Sequence, residues 1–283
     1  MVRSRVCTGG GRCQWYYGAP DARLRPGIGT YRGFRTTAGV PQERLVVPSG
    51  RVSLLIGFGG ELRVRGGSAG GAGAGRHRSL VSGLHTRARV LGHGGEAHGV
   101  ELTLAPWAAY RLFGSPLGEL ADALADPADV LGARARHLGE ALAEAPGWRE
   151  RFALLDATLL RWTAEAASAS GPAPAVLEAW RVLERSGGAI PIHAVASETG
   201  WSMRHLESRF REQLGIGPKQ LARVLRLNRA IRLLTAGRSA AETAAECGLY
   251  DQAHLSREFT ALTGMPPGRF LAGRDTASAW IAG

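Results

Sequence analysis

Two short clusters of polar side chains sit at helical spacing just behind a glycine turn. Arg204, Glu207, Ser208 and Arg211 lie opposite an apolar stripe of Leu206, Phe210 and Leu214, spaced i, i+4 and i+8. Gln252, Ala253, Arg257 and Glu258 lie opposite a second stripe of Leu255, Phe259 and Leu262. Apart from Ala253, side chains of these types recognise a partner by donating and accepting hydrogen bonds. Groups suited to metal binding or catalysis are sparser. His77, His85, His93 and His98 fall among glycines and arginines, and no pair has the i, i+4 spacing of a metalloprotease helix. A Ser-His-Asp triad assembles in space and is not readable from spacing. The expectation is therefore no catalytic residue and no metal site.

The elements that position the two clusters are one pattern written twice. The first copy runs Gly200-Trp201-Ser202, then Leu206, Phe210, Leu214, Gly215 and Pro218; the second runs Gly248-Leu249-Tyr250-Asp251, then Leu255, Phe259, Leu262, Gly264 and Pro267. The second turn has one extra residue. Each copy reads as helix, turn, helix. Ile192, Val195 and Ala196 give the first helix an apolar face, and Gly200 ends it because glycine takes the left-handed cap conformation without penalty. Ser202 and Asp251 are N-caps for the second helix of each copy, and Ser239 to Glu242 is a capping box. Between the copies, Pro218 opens a helix carrying Leu221, Leu225, Asn228, Ile231 and Leu234, closed by Gly237. That helix measures roughly 28 Å at 1.5 Å per residue. Successive major grooves on one face of B-DNA lie about 34 Å apart, so this rod suits two reading helices about one DNA turn apart.

Residues 190–270 resemble the DNA-binding domain of AraC/XylS-type transcription regulators. The resemblance is carried by Gly-Trp-Ser-Met-Arg-His-Leu-Glu-Ser-Arg-Phe, by the 218–234 helix, and by Tyr-Asp-Gln-Ala-His-Leu-Ser-Arg-Glu-Phe followed by Gly-Met-Pro-Pro. It implies a cytoplasmic regulator of transcription that binds double-stranded DNA and needs no cofactor. Its implied DNA-binding residues are Arg204, Glu207, Ser208 and Arg211 on the first reading helix, and Gln252, His254 and Arg257 on the second. In the major groove Gln252 would pair with adenine and Arg257 with guanine, while Ala253 is too short to hydrogen-bond. Two positions depart from the family pattern. Leu249 stands where an aromatic is usual after the turn glycine. Glu207 stands where a neutral or basic reader is common; it either accepts from cytosine N4 or orients Arg204 or Arg211 at i, i+3 or i+4, the second reading being favoured.

The chain has 283 residues, 45% of them hydrophobic, with a net charge of +11. The length suggests two domains. No run of about 18 or more apolar residues exists, so no membrane span is expected, and the basic start lacks the apolar core of a secretory signal. Charge is uneven. Residues 1–99 hold 15 Lys+Arg against 4 Asp+Glu, residues 100–189 hold 8 against 12, and residues 190–283 hold 12 against 8. The helical repeat is thus only mildly basic. Phosphate binding there must come from placed arginines and helix N-termini. Every basic residue but Lys219 is arginine. Cys7 and Cys13 lack the spacing of a redox or zinc motif, and Cys247 reads as a small buried thiol.

Upstream, the pattern is α+β. Strand signals cover 15–34, 43–48 and 51–58. Gly59-Gly60 reads as a hairpin turn into the alternating 61–65, a glycine-rich loop spans 66–75, and strands resume at 79–81, 86–91 and 99–104. The segment 106–113 turns to helix. Leu117, Leu120 and Leu124 suggest a second helix, Val130, Leu131, Leu138 and Leu142 a third, and 148–162 a fourth. A further helix over 176–186 faces a core through Val176, Trp180 and Leu183. The motifs Leu24-Arg25-Pro26, Val47-Pro48-Ser49-Gly50, Gly99-Val100-Glu101-Leu102 and Pro106-Trp107-Ala108-Ala109 resemble the sensor-like domain of actinobacterial AraC-type regulators. The expectation is a small β-barrel-like domain with a helical annex over 14–164 (β-rich 14–113, helical 114–164), a linker at 165–175, and an all-α double helix-turn-helix domain at 176–273. Trp15, Tyr16, Tyr17, Tyr31 and Trp107 line a ligand pocket or form ordinary core. A small-molecule effector or a second copy of the chain, forming a homodimer, would act at the first domain. The rival readings are an effector-binding or interaction protein without DNA readout, and a general nucleic-acid binder using the basic N-terminus.

Overall fold

The computed structural model describes residues 2–6, 12–25, 27–37, 39–66, 75–166 and 171–274. Eleven antiparallel strands of the described residues form two sheets. The larger sheet has β1 (Val2–Val6), β2 (Arg12–Gly18), β3 (Tyr31–Thr37), β10 (Glu96–Leu104), β5 (Val52–Gly59), β8 (Leu80–Ser82) and β11 (Leu124–Ala125), in that spatial order. The smaller has β4 (Gln42–Val46), β9 (Arg89–His93), β6 (Leu62–Gly66) and β7 (Gly75–His77).

The alternation along β5 explains the layering. Val52, Leu54 and Ile56 point to one core, shared with Val100, Leu102 and Leu104 of β10 and covered by helices. Leu55 points to the other side and packs on Leu62, Val64, Leu80 and Leu91. Successive side chains of a strand face opposite ways, so a strand apolar on both faces needs a layer on each. This overturns the hairpin expected at Gly59-Gly60. Gly60 does turn, at φ 76°, but β6 leaves the sheet of β5 and pairs with β9 and β7, laying Leu62 and Val64 over Leu55. Among the described residues the sheets do not close into a barrel.

The helical annex has α1 (Pro106–Phe113), α2 (Pro127–Leu131), α3 (Ala133–Glu144) and α4 (Trp148–Glu165). Trp148 stacks on Tyr16 of β2 at 4.6 Å between ring centroids. The helix expected through Leu117, Leu120 and Leu124 does not form. That segment is a single 3-10 turn, Gly118–Leu120, followed by β11. Asp122 adopts φ 53°, its carboxylate accepting from Thr86 N at 2.7 Å. Asp126 then caps a new helix at Pro127. Three leucines at helical spacing are thus overridden by a left-handed aspartate and a proline.

The C-terminal part is all helix: α5 (Pro174–Arg185), α6 (Ile192–Thr199), α7 (Met203–Leu214), α8 (Pro218–Thr235), α9 (Ala240–Glu246), α10 (Gln252–Thr263) and α11 (Pro267–Arg274). Val176, Trp180 and Leu183 of α5 are buried, and Cys247 is a free buried thiol whose Sγ lies 3.8 Å from the Arg226 carbonyl. Cys7 lies outside the described residues.

The two halves share apolar core. One buried cluster runs from Leu24 through the large sheet and annex to Leu206, Phe210, Leu214 and Leu221. A second joins Val47 to Leu227, Ile231, Leu234, Phe259, Leu262 and Phe270. Hydrogen bonds cross the same seam. Asn228 Nδ2 donates to the Pro48 carbonyl at 3.1 Å, Ala88 N to the Leu262 carbonyl at 2.8 Å, and Leu117 N to the Gln213 carbonyl at 3.3 Å. Arg51 pairs with Glu184 of α5 at 3.4 Å.

Candidate nucleic-acid interface

α7 and α10 start in the same way. Ser202 Oγ accepts from His205 N at 3.3 Å, and the Asp251 carboxylate accepts from His254 N at 2.6 Å. Each satisfies a backbone donor that the first helical turn leaves without an intrahelical partner. The preceding glycines match too: Gly200 has φ 69° and Gly248 φ 68°. After each glycine the chain folds back on the first helix, Trp201 N to Ala196 O at 3.1 Å and Leu249 N to Ala244 O at 2.9 Å. The capping box at Ser239 has both halves, Glu242 N to Ser239 Oγ at 3.2 Å and Ser239 N to Glu242 Oε2 at 2.9 Å.

The buried stripes are Leu206, Phe210 and Leu214 in α7 and Leu255, Phe259 and Leu262 in α10, none more than 4% exposed. Burying a side chain of this size contributes about 1.5–3 kcal/mol, so these stripes fix which face of each helix meets solvent. On the outward faces Arg204, Ser208, Arg211, Gln252 and Arg257 are exposed, with Glu207 and His254 half-buried. All seven expected contact residues therefore lie on or beside the two outward faces.

Local pairing differentiates them. Arg211 donates to Glu207 at 2.6 Å, an i, i+4 ion pair, and the Glu207 carboxylate lies over Gly217 in the turn to α8. Arg204 and Arg257 take part in no ion pair among the described residues. Glu258, read from spacing as part of the outer face, is instead turned against α8, where its carboxylate accepts from Arg223 at 3.1 Å and Arg226 at 3.4 Å. Helical spacing put Glu258 at the edge of the polar face, and two arginines on the neighbouring helix draw it inward.

Two exposed apolar residues beside these faces were not singled out by spacing. Met203 is 49% exposed and Tyr250 is 93% exposed. Tyr250 is the extra residue of the second turn. The repeat is kept in register by projecting that one residue into solvent, and the difference between the two turn lengths was its signal. Leu249, in place of an aromatic, is buried among Ala230, Ala244, Cys247 and Leu255.

The first domain has a cavity between its two sheets, lined by Arg44, Arg51, Arg89, Glu101, Leu80 and Leu91 among others. Of the aromatics read as either pocket lining or ordinary core, none lines it. Tyr31 is fully buried, its hydroxyl donating to Asp156 at 2.8 Å; Trp15 packs on Phe34, Tyr16 on Trp148, and Trp107 on Trp180. The histidines are dispersed. His85 is buried with Nδ1 2.8 Å from the Arg87 carbonyl, and burial lowers its pKa to about 4. His98 packs edge-on against Phe58, and burial with Arg151 and Arg35 nearby also lowers it to about 4. Among the described residues no three His, Cys, Asp or Glu side chains converge to hold a metal ion, and no helix is long and apolar enough to cross a membrane.

A family model described as a helix-turn-helix domain matches residues 195–273. No curated protein matches the chain. Among solved structures, ToxT from Vibrio cholerae is 10% identical, covering 86% of this chain and 98% of its own, with a TM-score of 0.48. The C-terminal domain of AraT, a response regulator from Geobacillus stearothermophilus, is 24% identical over 37% of this chain and 89% of its own, TM-score 0.35. A transcriptional regulator of Chromobacterium violaceum, with an AraC-type DNA-binding domain, is 29% identical over 36% and 92%, TM-score 0.33.

Proposed function

We propose that this chain, whose C-terminal region is an AraC-type helix-turn-helix domain, regulates transcription by inserting α7 and α10 into successive major grooves of a specific duplex. The carrying observation is the matched pair of helices, each capped by Ser202 or Asp251 and each presenting its polar face outward from a fixed core. Gln252 and Arg257 read bases, by the bidentate geometries that glutamine forms with adenine and arginine with guanine. His254, Arg204 and Ser208 complete the readout. Glu207 holds Arg211, whose guanidinium serves a phosphate or a base edge. The N-termini of α7 and α10 add donors for phosphate.

Residues 14–164 form the sensor domain, 165–175 the linker and 176–273 the DNA-binding domain, in a cytoplasmic protein with no catalytic role. A small-molecule effector at the first domain shifts DNA affinity through its differential affinity for two arrangements. The seam that joins Val47, Pro48 and Ala88 to α8 and α10 supports this reading, because it ties the sheets to the reading helices. A homodimer would add a second tandem site, with the first domain as the pairing surface. The test is a gel shift of the full chain on its own upstream region against a scrambled duplex. At least tenfold preference for the former is expected. Equal affinity points to a general nucleic-acid binder, and no binding to an interaction protein.

A further inference from the structure

The first domain holds both reading helices at the same place in the repeat. Counted from the caps Ser202 and Asp251, Gln213 of α7 and Leu262 of α10 occupy equivalent positions. Each carbonyl lies in the last turn, where a helix leaves its acceptors without an intrahelical donor. Each is satisfied by a backbone amide of the first domain. Leu117 N donates to the Gln213 carbonyl at 3.3 Å, and Ala88 N to the Leu262 carbonyl at 2.8 Å. Gln213 and Leu262 are both buried, and buried carbonyls need such partners.

The two amides belong to separate segments, 83–88 and 117–123, which meet at Asp122. Asp122 N donates to the Leu84 carbonyl at 2.8 Å, and its carboxylate accepts from Thr86 N at 2.7 Å and from Thr86 Oγ1 at 3.0 Å. A Cβ at Gly83 would collide with the Leu120 carbonyl, so the segments are in close backbone contact. Arg89, buried on β9, donates to the Ala123 carbonyl at 3.3 Å, and the Asp122 carboxylate acts on its charge. Among the described residues Asp122 is the one non-glycine at positive φ. Such a conformation is disfavoured for an L-residue and persists where its surroundings hold it.

α8 already joins the reading helices, sharing one buried cluster with α7 through Leu221 and another with α10 through Leu227 and Ile231. The path from Gln213 through Leu117, Asp122, Thr86 and Ala88 to Leu262 is a second connection, and it closes a ring. Side-chain packing on one rod lets each partner tilt on it, whereas a closed ring restrains both. We infer that Asp122 is a positioning residue for groove reading. Its bonds to Thr86 lock the angle between α7 and α10, and so set how many base pairs are tolerated between the two segments they read. The effect on DNA rests on the two-groove reading; the ring itself does not.

The test takes duplexes selected by the full chain from a random-sequence pool, with one or two base pairs inserted or removed between the two protected grooves. The parent chain is expected to prefer its selected spacing at least tenfold over a duplex one base pair longer. Glycine adopts positive φ without penalty, so Asp122→Gly removes the carboxylate and spares the backbone. It should lower that preference to threefold or less with circular dichroism unchanged. Asp122→Asn keeps an oxygen for Thr86 N and tolerates the left-handed region, so it should retain the parent's preference. If Asp122→Gly fails to fold, Thr86→Val should lower the preference at least twofold. The inference is overturned if the folded glycine variant keeps the parent's preference, if it weakens every spacing equally, or if the asparagine variant loses as much. Hydrogen exchange supplies a readout that needs no DNA: the Ala88 and Leu117 amides should both exchange faster in Asp122→Gly. An unchanged rate at either would break the ring. Should the full chain select no duplex, the groove reading fails, and exchange alone decides whether Asp122 couples the two helices.

Discussion

Arg257 and Glu207 make opposite predictions. Arg257 is exposed on α10 with no ion pair among the described residues, so its guanidinium is available to a base. Arg257→Ala should cost about 1–3 kcal/mol of DNA binding and relax preference at one or two base pairs, measured by affinity on a set of single-base operator variants. Uniform weakening over all of them would instead make it a phosphate contact. Glu207 is engaged with Arg211 at 2.6 Å. Glu207→Gln should weaken binding several-fold without altering preference at any C·G pair; a changed preference in the same assay would make it a base reader. In the first domain, burial disfavours the Glu101 carboxylate, but Arg32 and Arg44 outweigh burial and hold its pKa at about 2. A lowered folded pKa contributes stability that is present above the unfolded value of about 4.3 and lost as pH falls through about 2. Its size is on the order of 3 kcal/mol. Urea unfolding should therefore show Glu101→Gln less stable than the parent at pH 7, with the gap closing between about pH 4.5 and pH 2.

Among the helices of the C-terminal part, α9 is the shortest, seven residues held at its start by the Ser239–Glu242 box. Ser239→Ala removes the hydroxyl that accepts from Glu242 N and should cost about 1 kcal/mol, read as a lower melting temperature with the DNA preference unchanged. α10 is held by packing and by Glu258 between Arg223 and Arg226. The helical elements were legible in the sequence because each carries its own punctuation: Gly200, Ser202, Pro218, Ser239, Asp251 and Gly264 mark ends by local chemistry. The strand pairing was less legible. Nothing local at Gly59-Gly60 distinguishes a hairpin from a change of sheet; the difference lies in Leu55, whose second apolar face requires cover from β6. Likewise Leu117, Leu120 and Leu124 fit a helix until Thr86, more than thirty positions away, fixes Asp122. The outward faces of α7 and α10 were readable from periodicity, whereas the inward turn of Glu258 depended on arginines of another helix. The cavity was not readable at all, since Arg89, Arg51 and Leu80 are brought together only by the stacking of the two sheets.

At the scale of the whole molecule, the shared core limits how far the halves act alone. A fragment from Pro172 to Arg274 keeps both repeats and the Ala173 N to Gln213 Oε1 bond at 2.8 Å, so it should bind the same duplex as the full chain. It also uncovers Leu227, Leu234 and Leu262 where Val47 and Ala88 pack, so it should melt at a lower temperature and aggregate sooner, as light scattering would report. Loss of binding in a folded fragment would mean that the first domain supplies contacts or obligatory pairing. The near-exclusive use of arginine gives the molecule one further property. Lys219 carries the chain's one ε-amine, and it is exposed in the first turn of α8, two residues after the glycine that Glu207 overlies. Apart from the chain's α-amine, an amine-reactive dye thus has a single address, beside a reading helix. A dye placed there would report groove docking as a change in brightness or anisotropy, and acylation of that one position would be visible to the same assay without any engineered cysteine.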